Sequence, residues 1–325
     1  MSDTHSVADT KHDGYDTVTL SSPADVHATF APDIGMIGCS LRLGNTELLG
    51  QRNGLGAYAD HGSTMGIPLL APWANRLDRY GYGFANTQVT IDPNNPLIHD
   101  DGNGLPIHGI LAASPYWEVL RLEADENAAY LEATLDFAAH PEYVEVFPFP
   151  HELDLDVTLQ GDALEIATTL TATGDVDVPA AFGFHPYFAP PGPRPEWHVH
   201  LAVERRVILD ERGIPTDEVE IIHYPDEALL DRTFDDLYDR ISADRTFRIW
   251  GDGVEIDMQY GDHFHYAQVY APPDDDVIAI EPMTAPVNPF DGDRPIQMVE
   301  PGDSLTAAFE ITVRPSDEDG SDDDT

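Results

Sequence analysis

The sequence predicts an all-β fold in which one large domain is built from stacked antiparallel sheets. Apolar and polar residues alternate along most of the chain, which is the pattern of strands with one face in the core and one in water. Helical periodicity is scarce, and we expect no more than a turn or two of helix, within 226–238. The 27 prolines and 25 glycines interrupt the alternating runs at short intervals, as a fold with many turns requires.

The alternating runs predict the individual strands. The clearest two are 153–159 and 164–170, and Gly161 and Asp162 between them predict a tight β-hairpin. The other alternating apolar sets, in chain order, are Leu131, Ala133, Leu135 and Phe137; Trp197, Val199, Leu201 and Val203; Val254, Ile256, Met258 and Tyr260; and Leu305, Ala307, Phe309, Ile311 and Val313.

We expect a single ordered domain over residues 15–315. No repeat of fixed period and no sharp change in composition divides this stretch, and a chain that is 42% hydrophobic can fill a substantial core. Residues 1–14 and 316–325 are poor in apolar side chains, so both are predicted to be disordered tails.

The charge balance is strongly acidic. The chain has 60 acidic and 16 basic residues, a formal net charge of −44, and Lys11 as its one lysine. Such a charge destabilises a compact protein at low ionic strength, whereas in about 1 M salt the Debye length falls to about 3 Å and the repulsion is screened. The acids are spread along the whole chain, which predicts a protein from a halophilic organism. Nucleic acid and anionic membranes would be repelled, so neither is expected as a partner.

Three features predict a soluble, cytoplasmic protein. Residues 1–16 are polar and contain no apolar stretch of the signal-peptide type. No apolar run approaches the roughly 18 residues needed to cross a bilayer. Cys39 is the one cysteine, which fits a reducing compartment, and we interpret it as a small buried core residue rather than a nucleophile because no cysteine-centred motif surrounds it.

Two segments depart from strand alternation and end in polar side chains. An apolar, proline-rich run over 66–74 leads into Asn75 and Arg76, and a guanidinium fixed by such packing suits sugar hydroxyls or a carboxylate. A structural arginine that pins a loop explains the run equally well. In 105–110, His108 precedes a glycine that would allow a ligand to approach closely, although a lone histidine is more often structural.

Two further segments carry a titratable group in an apolar setting. His185 lies in the aromatic stretch 180–188, where burial and nearby charges can tune an imidazole as a proton carrier near neutral pH. Glu281 ends the apolar run 277–280 and precedes a proline. A partly desolvated carboxylate there would have the raised pKa that a general base needs. From these local patterns alone, a core histidine and an exposed strand end are equally good interpretations.

Five short motifs in chain order resemble those of the aldose 1-epimerase (galactose mutarotase-like) family. They are Trp73-Ala74-Asn75-Arg76, His108-Gly109, His185-Pro186-Tyr187-Phe188, Asp231-Arg232-Thr233-Phe234 and Glu281-Pro282-Met283-Thr284-Ala285-Pro286-Val287-Asn288. Each motif is weak alone, and the order of all five on an all-β chain is the signal. The Glu-Pro-Met-Thr context departs from the animal and lactic-acid-bacterial galactose mutarotases, which leaves the identity of the sugar open.

The resemblance implies a large antiparallel β-supersandwich with a sugar-binding groove and no cofactor or metal. It implies that His185 is the general acid and Glu281 the general base of an anomer interconversion. It implies further that the sugar is held by Asn75, Arg76, His108 and Asp231. Asp235 and Asp236 follow Asp231 closely, so which of the three contacts the sugar stays open at this point.

Other functions are compatible with the sequence. A mutarotase for a phosphorylated hexose would need a cationic pocket, to which Arg52, Arg76 and Arg79 could contribute. A β-sandwich that binds carbohydrate without reacting it is a second alternative, although binding alone requires no acid and base.

A structural zinc site is a third alternative. His198 with His200, and His263 with His265, form same-face pairs on predicted strands, but no third ligand is evident. The sequence does not indicate the oligomeric state.

Overall fold

The computed structural model of the protein describes residues 4–290 and 294–316. The all-β prediction is confirmed: the described residues form three large antiparallel sheets and three two-stranded ones. Helix is confined to α1 (Gly54–His61), α2 (Pro141–Val146) and two short 3₁₀ turns, Phe137–Ala139 and Arg194–Glu196, as far as these residues extend. None of the helices in this part of the chain is long and apolar enough to span a membrane.

The strands of the first half of the chain, with their labels, are Ser6–His12 (β1), Tyr15–Ser21 (β2), Val26–Ala31 (β3), Ile37–Leu43 (β4), Thr46–Glu47 (β5), Leu69–Leu70 (β6), Gly81–Phe84 (β7), Thr87–Thr90 (β8), His99–Asp100 (β9), Pro106–Ile107 (β10), Glu118–Ala124 (β11), Ala129–Asp136 (β12), His151–Gln160 (β13) and Ala163–Ala172 (β14).

Those of the second half are Val178–Ala180 (β15), Gly183–Phe184 (β16), Tyr187–Phe188 (β17), His198–His200 (β18), Val203–Leu209 (β19), Pro215–Ile221 (β20), Glu227–Ala228 (β21), Phe234–Ile241 (β22), Thr246–Gly251 (β23), Val254–Tyr260 (β24), Tyr266–Ala271 (β25), Ile278–Met283 (β26), Gln297–Val299 (β27) and Ser304–Pro315 (β28).

The nine-stranded sheet contains most of the predicted strands, in the order β11-β12-β13-β14-β28-β24-β23-β18-β21. The predicted hairpin is confirmed, because β13 and β14 pair from His151↔Ala172 to Gln160↔Ala163 around a turn in which Gly161 has a φ of 61°. The predicted alternating run 197–203 is not one strand, because β18 ends at His200 and Val203 begins β19, which belongs to the eight-stranded sheet.

The eight-stranded sheet follows the order β20-β19-β22-β25-β26-β16-β6, and β17 also pairs with β26. Its inner face packs against the nine-stranded sheet, as the rings of Phe184 and Phe309 show with centroids 5.0 Å apart. Successive side chains of a strand point to opposite faces. Since Phe184 faces the core between the sheets, the residue after it faces the other way.

A single hydrophobic cluster includes residues from Val18 to Val313, which favours the predicted single domain over 15–315; that division stays a prediction. Cys39 is buried, as predicted, and burial raises the pKa of its thiol to about 12.

Two local expectations are wrong. Residues 6–12 belong to the predicted N-terminal tail 1–14, yet they form β1, which pairs with β2 along its whole length. The strand is held by backbone pairing and by hydroxyl contacts such as Thr10 Oγ1 to Thr17 Oγ1 at 2.9 Å, which a search for apolar residues does not detect. The helical turn expected within 226–238 is replaced by β21 and β22, because β22 finds pairing partners in β19 and β25. Of the predicted C-terminal tail 316–325, all but the first residue lies outside the described residues.

Candidate active site

The centre of the site is formed by β26 and the two short strands that pair with it. Gly183 is paired with Met283 and Tyr187 with Ala279. The register midway between these pairs brings His185 opposite Glu281. Imidazole Nε2 lies 3.2 Å from carboxylate Oε1, and both side chains are almost completely buried, with 5% and 1% of their surface exposed.

A second wall is formed by the two predicted loop segments, which lie against each other. Ala71 forms a bridge with Gly109, and Arg76 forms one with Ile107. Gly109 has a φ of 70°, and a Cβ there would lie 2.0 Å from the Ala71 carbonyl oxygen, so only glycine permits this approach. The close contact carries His108 beside Arg76 and brings its ring to 5.3 Å from that of His185.

These walls enclose a pocket of about 160 Å³. Five of the six sequence-predicted site residues line this pocket, and the sixth, Asp231, does not. The lining residues are Arg52, Asn75, Arg76, Ile107, His108, His185, Tyr187, Asp235, Tyr270 and Glu281.

Burial controls the protonation of the central pair. It raises the pKa of Glu281 well above its ordinary value, and the negative charge of Asp235 adds to this. Burial also lowers the pKa of His185 well below its ordinary value, with His108 and Arg52 acting in the same direction. Both shifts favour neutral side chains. At 3.2 Å, the two groups therefore either stay neutral together or become charged together, and in both cases they share one proton.

Two atoms of the pair have no hydrogen-bond partner among the described residues. They are Glu281 Oε2 and His185 Nδ1, and both are buried. An unsatisfied buried polar atom is costly, and such atoms are found where a ligand or ordered water completes the bonding. The carboxylate thus retains acceptor capacity beyond its contact with His185.

His108 has its tautomer fixed by the backbone. Its Nδ1 lies 2.9 Å from the Ala74 carbonyl oxygen, which can only accept, so Nδ1 carries the hydrogen. Burial lowers the pKa of His108 to about 4. The ring is therefore neutral at physiological pH, and its Nε2 is an acceptor suited to a hydroxyl group.

Arg76 is fixed by three polar neighbours. Its Nε donates to Asp101 at 2.6 Å, its Nη1 donates to the Asn75 side-chain oxygen at 3.2 Å, and its Nη2 lies 3.7 Å from an Asp235 carboxylate oxygen. A guanidinium restrained in this way can present its remaining N–H groups without losing much conformational entropy on binding.

Asp231, the aspartate of the fourth motif, is exposed and does not line the pocket. Asp235 does, and it accepts a hydrogen bond from Gln268 Nε2 at 2.7 Å. The phase of β22 explains the difference: Phe234 is buried in the core, so Asp235 points to the opposite face. Motif spacing alone gives no strand phase and could not distinguish the two aspartates.

Arg52 and Tyr270 are pocket residues that the sequence did not single out as part of this site. Arg52 entered only as one candidate for binding a phosphate, and Tyr187 only as part of a quoted motif. Arg52 follows β5 by five residues and Tyr270 belongs to β25, so neither lies near the five motifs. Alternation along β25 puts Tyr270 on the same face as Gln268, but no local sequence pattern indicates that this face lines a pocket.

The histidine pairs considered for zinc have other partners. The ring of His198 stacks on Trp250 with centroids 5.1 Å apart, and His200 Nδ1 lies 2.5 Å from an Asp226 oxygen. His263 is hydrogen-bonded to Gln297. Within 4–290 and 294–316 no group of three or more histidine, cysteine or acidic side chains is arranged to hold a metal ion. The expectation that the protein uses no metal stays a prediction.

The family model described as aldose 1-epimerase matches residues 16–312 of the chain. A galactose mutarotase-like protein from Clostridium acetobutylicum has a similar structure, with a TM-score of 0.85 at 17% identity over 97% of this chain and 100% of that one. Galactose 1-epimerase from Lactobacillus acidophilus gives a TM-score of 0.75 at 14% identity, covering 96% and 99%. An aldose epimerase homologue from C. elegans gives 0.69 at 17%, covering 90% and 97%. No curated protein sequence matches the chain.

Proposed function

The chain belongs to the aldose 1-epimerase family, and from that premise we propose that it interconverts the α and β anomers of an aldose. The observation that carries the proposal is the contact of 3.2 Å between His185 and Glu281, buried at the floor of a pocket small enough to hold one sugar ring. An acid and a base that share one proton are what ring opening and closure require.

The proposed reaction starts from the charged form of the pair: Glu281, as a carboxylate, accepts the proton of the anomeric O1 hydroxyl while His185, as an imidazolium, donates a proton to the ring oxygen O5. The C1–O5 bond breaks, and C1=O1 forms. Rotation about C1–C2 presents the other face of the aldehyde, O5 attacks it, and both protons return. The number of protons on the pair is the same before and after, so no other donor or acceptor is consumed.

The remaining pocket residues hold the sugar in this proposal. Arg76 donates to sugar hydroxyls, and the neutral His108 and the carboxylate of Asp235 accept from them. Asp235 takes the part that the motif assigned to Asp231. Asn75 acts on the sugar through Arg76, since its side-chain oxygen accepts from the guanidinium at 3.2 Å.

We also propose that the sugar is not phosphorylated. Of the three candidate phosphate ligands, Arg79 is paired with Asp78 at 3.0 Å and is not a lining residue. Arg52 and Arg76 line the pocket, but each has a carboxylate partner, Asp275 and Asp101 respectively. A faster reaction with glucose 6-phosphate than with glucose would favour the phosphorylated alternative.

The setting we propose is the cytoplasm of a halophilic organism. The support is the formal net charge of −44 in the sequence, which molar salt would screen. The activity should therefore be measured in molar KCl.

The test is polarimetry on fresh α-D-glucose and α-D-galactose with His185→Asn and Glu281→Gln. Each substitution replaces a proton carrier by an amide that does not titrate, so we expect turnover to fall by roughly 100- to 10,000-fold. Asp235→Asn and Asp231→Asn form a matched pair, and only the first should weaken sugar binding. Near-normal turnover in either His185→Asn or Glu281→Gln would contradict the proposed roles. Tight sugar binding by an inactive wild type would indicate the non-catalytic alternative.

A further inference from the structure

Arg52 is a second guanidinium in the pocket, held by residues that are distant in sequence. Its Nε donates to Asp275 Oδ2 at 2.9 Å, and its Nη1 donates to the Tyr187 hydroxyl at 2.9 Å and to the Thr64 carbonyl oxygen at 3.3 Å. Its other terminal nitrogen, Nη2, has no acceptor among the described residues. The side chain is 22% exposed and lines the pocket. Two N–H groups of a fixed guanidinium are therefore available to a ligand.

Arg52 lies on the side of the pocket that carries His185. Its Cζ is 4.7 Å from the centre of the Tyr187 ring, and that ring stacks on the His185 imidazole at 4.2 Å with 16° between their planes. The Tyr187 hydroxyl is 3.2 Å from His185 Nε2. The same nitrogen lies 3.2 Å from Glu281 Oε1, so Tyr187 and Glu281 both contact this atom of His185.

The chemistry of the sugar gives this arrangement a consequence, which rests on the proposed function. His185 protonates O5. In a hexose pyranose the neighbouring carbon C5 carries the C6 hydroxymethyl group, whereas a pentose pyranose has only hydrogen there. A group beside His185 is therefore in the position to contact the C6 oxygen.

We propose that Arg52 is a specificity-determining residue, whose Nη2 donates to the C6 oxygen of the sugar and so selects hexoses over pentoses. The carboxylate of Asp275 pairs with the guanidinium and offsets its charge, which suits a neutral hydroxyl better than an anionic group at C6. The Tyr187 and Thr64 contacts fix the direction in which Nη2 points.

The test compares D-glucose with D-xylose, which is the same sugar without C6. In the wild type we expect a higher kcat/KM for glucose. Arg52→Met should lower kcat/KM for glucose by about 10- to 100-fold and change that for xylose by less than about threefold, because only glucose loses a hydrogen bond to a charged donor. Retained xylose turnover shows at the same time that the variant is folded. Arg52→Lys should restore part of the glucose activity.

Arg205→Met is the matched control, since Arg205 is also part-buried and paired with a carboxylate, Asp239, at 2.7 Å, but is not a lining residue. It should leave the glucose-to-xylose ratio unchanged. An equal loss for both sugars in Arg52→Met would mean that Arg52 only supports the structure. No loss for either sugar would also overturn the proposal.

A wild type that mutarotates neither sugar would contradict the proposed function but not the role of Arg52. The dissociation constants of both sugars, measured by calorimetry on wild type and Arg52→Met, then decide the question. A glucose preference that disappears in the variant supports Arg52 as the C6 contact. The same preference in both proteins, or none in the wild type, overturns it.

Discussion

The β13–β14 hairpin and the strand β26 are both central parts of antiparallel sheets, yet they use burial differently. In β13 every second residue is buried and apolar apart from His151, and the residues between them face solvent or are half-buried. In β26 all six residues are buried, and one of them is Glu281. The hairpin therefore follows the rule that burial stabilises, whereas β26 buries a carboxylate at a cost. The comparison separates residues that maintain the fold from those that act on a ligand.

The largest expected effect concerns the hairpin. Leu155, which is 2% exposed, belongs to the main core cluster, so Leu155→Ala should lower the free energy of unfolding by about 2–5 kcal/mol through lost burial and the cavity left behind. The turnover number per folded molecule should not change, because the hairpin contributes no residue to the pocket. Denaturant unfolding and polarimetry in molar KCl measure the two quantities.

Gln160→Ala, at the exposed end of the same strand, is the control and should change stability by no more than about 0.5 kcal/mol. If folded Leu155→Ala lost most of its turnover, the separation between hairpin and pocket would be refuted.

In β26 the opposite outcome is expected. Glu281→Gln should raise the free energy of unfolding at pH 8 by about 1 kcal/mol while turnover is lost, since it removes a buried ionisable group. The pKa of Glu281 is raised in the folded state, so the unfolded state releases its proton first. The free energy of unfolding of the wild type therefore falls as the pH rises from about 4.5 towards the raised pKa of Glu281. Thermal unfolding at pH 6 and pH 8 should show the larger gain at pH 8.

Glu47→Gln provides a control of opposite sign. One Glu47 carboxylate oxygen accepts from the backbone N–H groups of Leu41 at 3.0 Å, Leu48 at 3.2 Å and Leu49 at 3.0 Å, so its loss should destabilise the protein. A Glu281→Gln variant that is less stable than wild type at both pH values would contradict the view that β26 sacrifices stability for function.

The sequence predicted the regular parts of the fold well. The hairpin, β24 and β28 follow from period-two alternation, because in each of them burial of one face is what selects the strand. The helix α1 was not predicted, since only Leu55 and Tyr58 are buried in it and its two glycines weaken any helical signal. The strand β1 was missed for a related reason, because pairing and hydroxyl contacts hold it in place of apolar burial.

The site was predictable only where a motif marked it. His185 and Glu281 are far apart in sequence, and the contact between them depends on how β16 and β17 register against β26. Arg52 reaches the pocket through contacts with Asp275 and Tyr187, neither of which is near it in the chain. Such contacts are set by tertiary pairing, so a single sequence contains no local pattern that reports them.

The smallest expected effect lies on the solvent face of the hairpin. Asp156 is directly opposite Glu132 on β12, and its pKa is raised by partial burial and by the charges of Glu132 and Asp154. Like charges opposite each other destabilise a sheet. Asp156→Asn should therefore raise the free energy of unfolding at pH 7 by about 0.3 kcal/mol. The midpoint of urea unfolding measures this.

The sign of the effect follows from the raised pKa. An ionised Asp156 costs stability once the pH exceeds its folded-state pKa, so the gain from Asp156→Asn should vanish below about pH 3.8, where the wild-type carboxyl is already protonated. It should also shrink in molar KCl because of screening. Asp154→Asn is the matched control, since Asp154 has Thr134 and Thr169 as its cross-strand partners. An equal gain at both positions would mean that total charge, not the Asp156–Glu132 pair, sets the stability of this face.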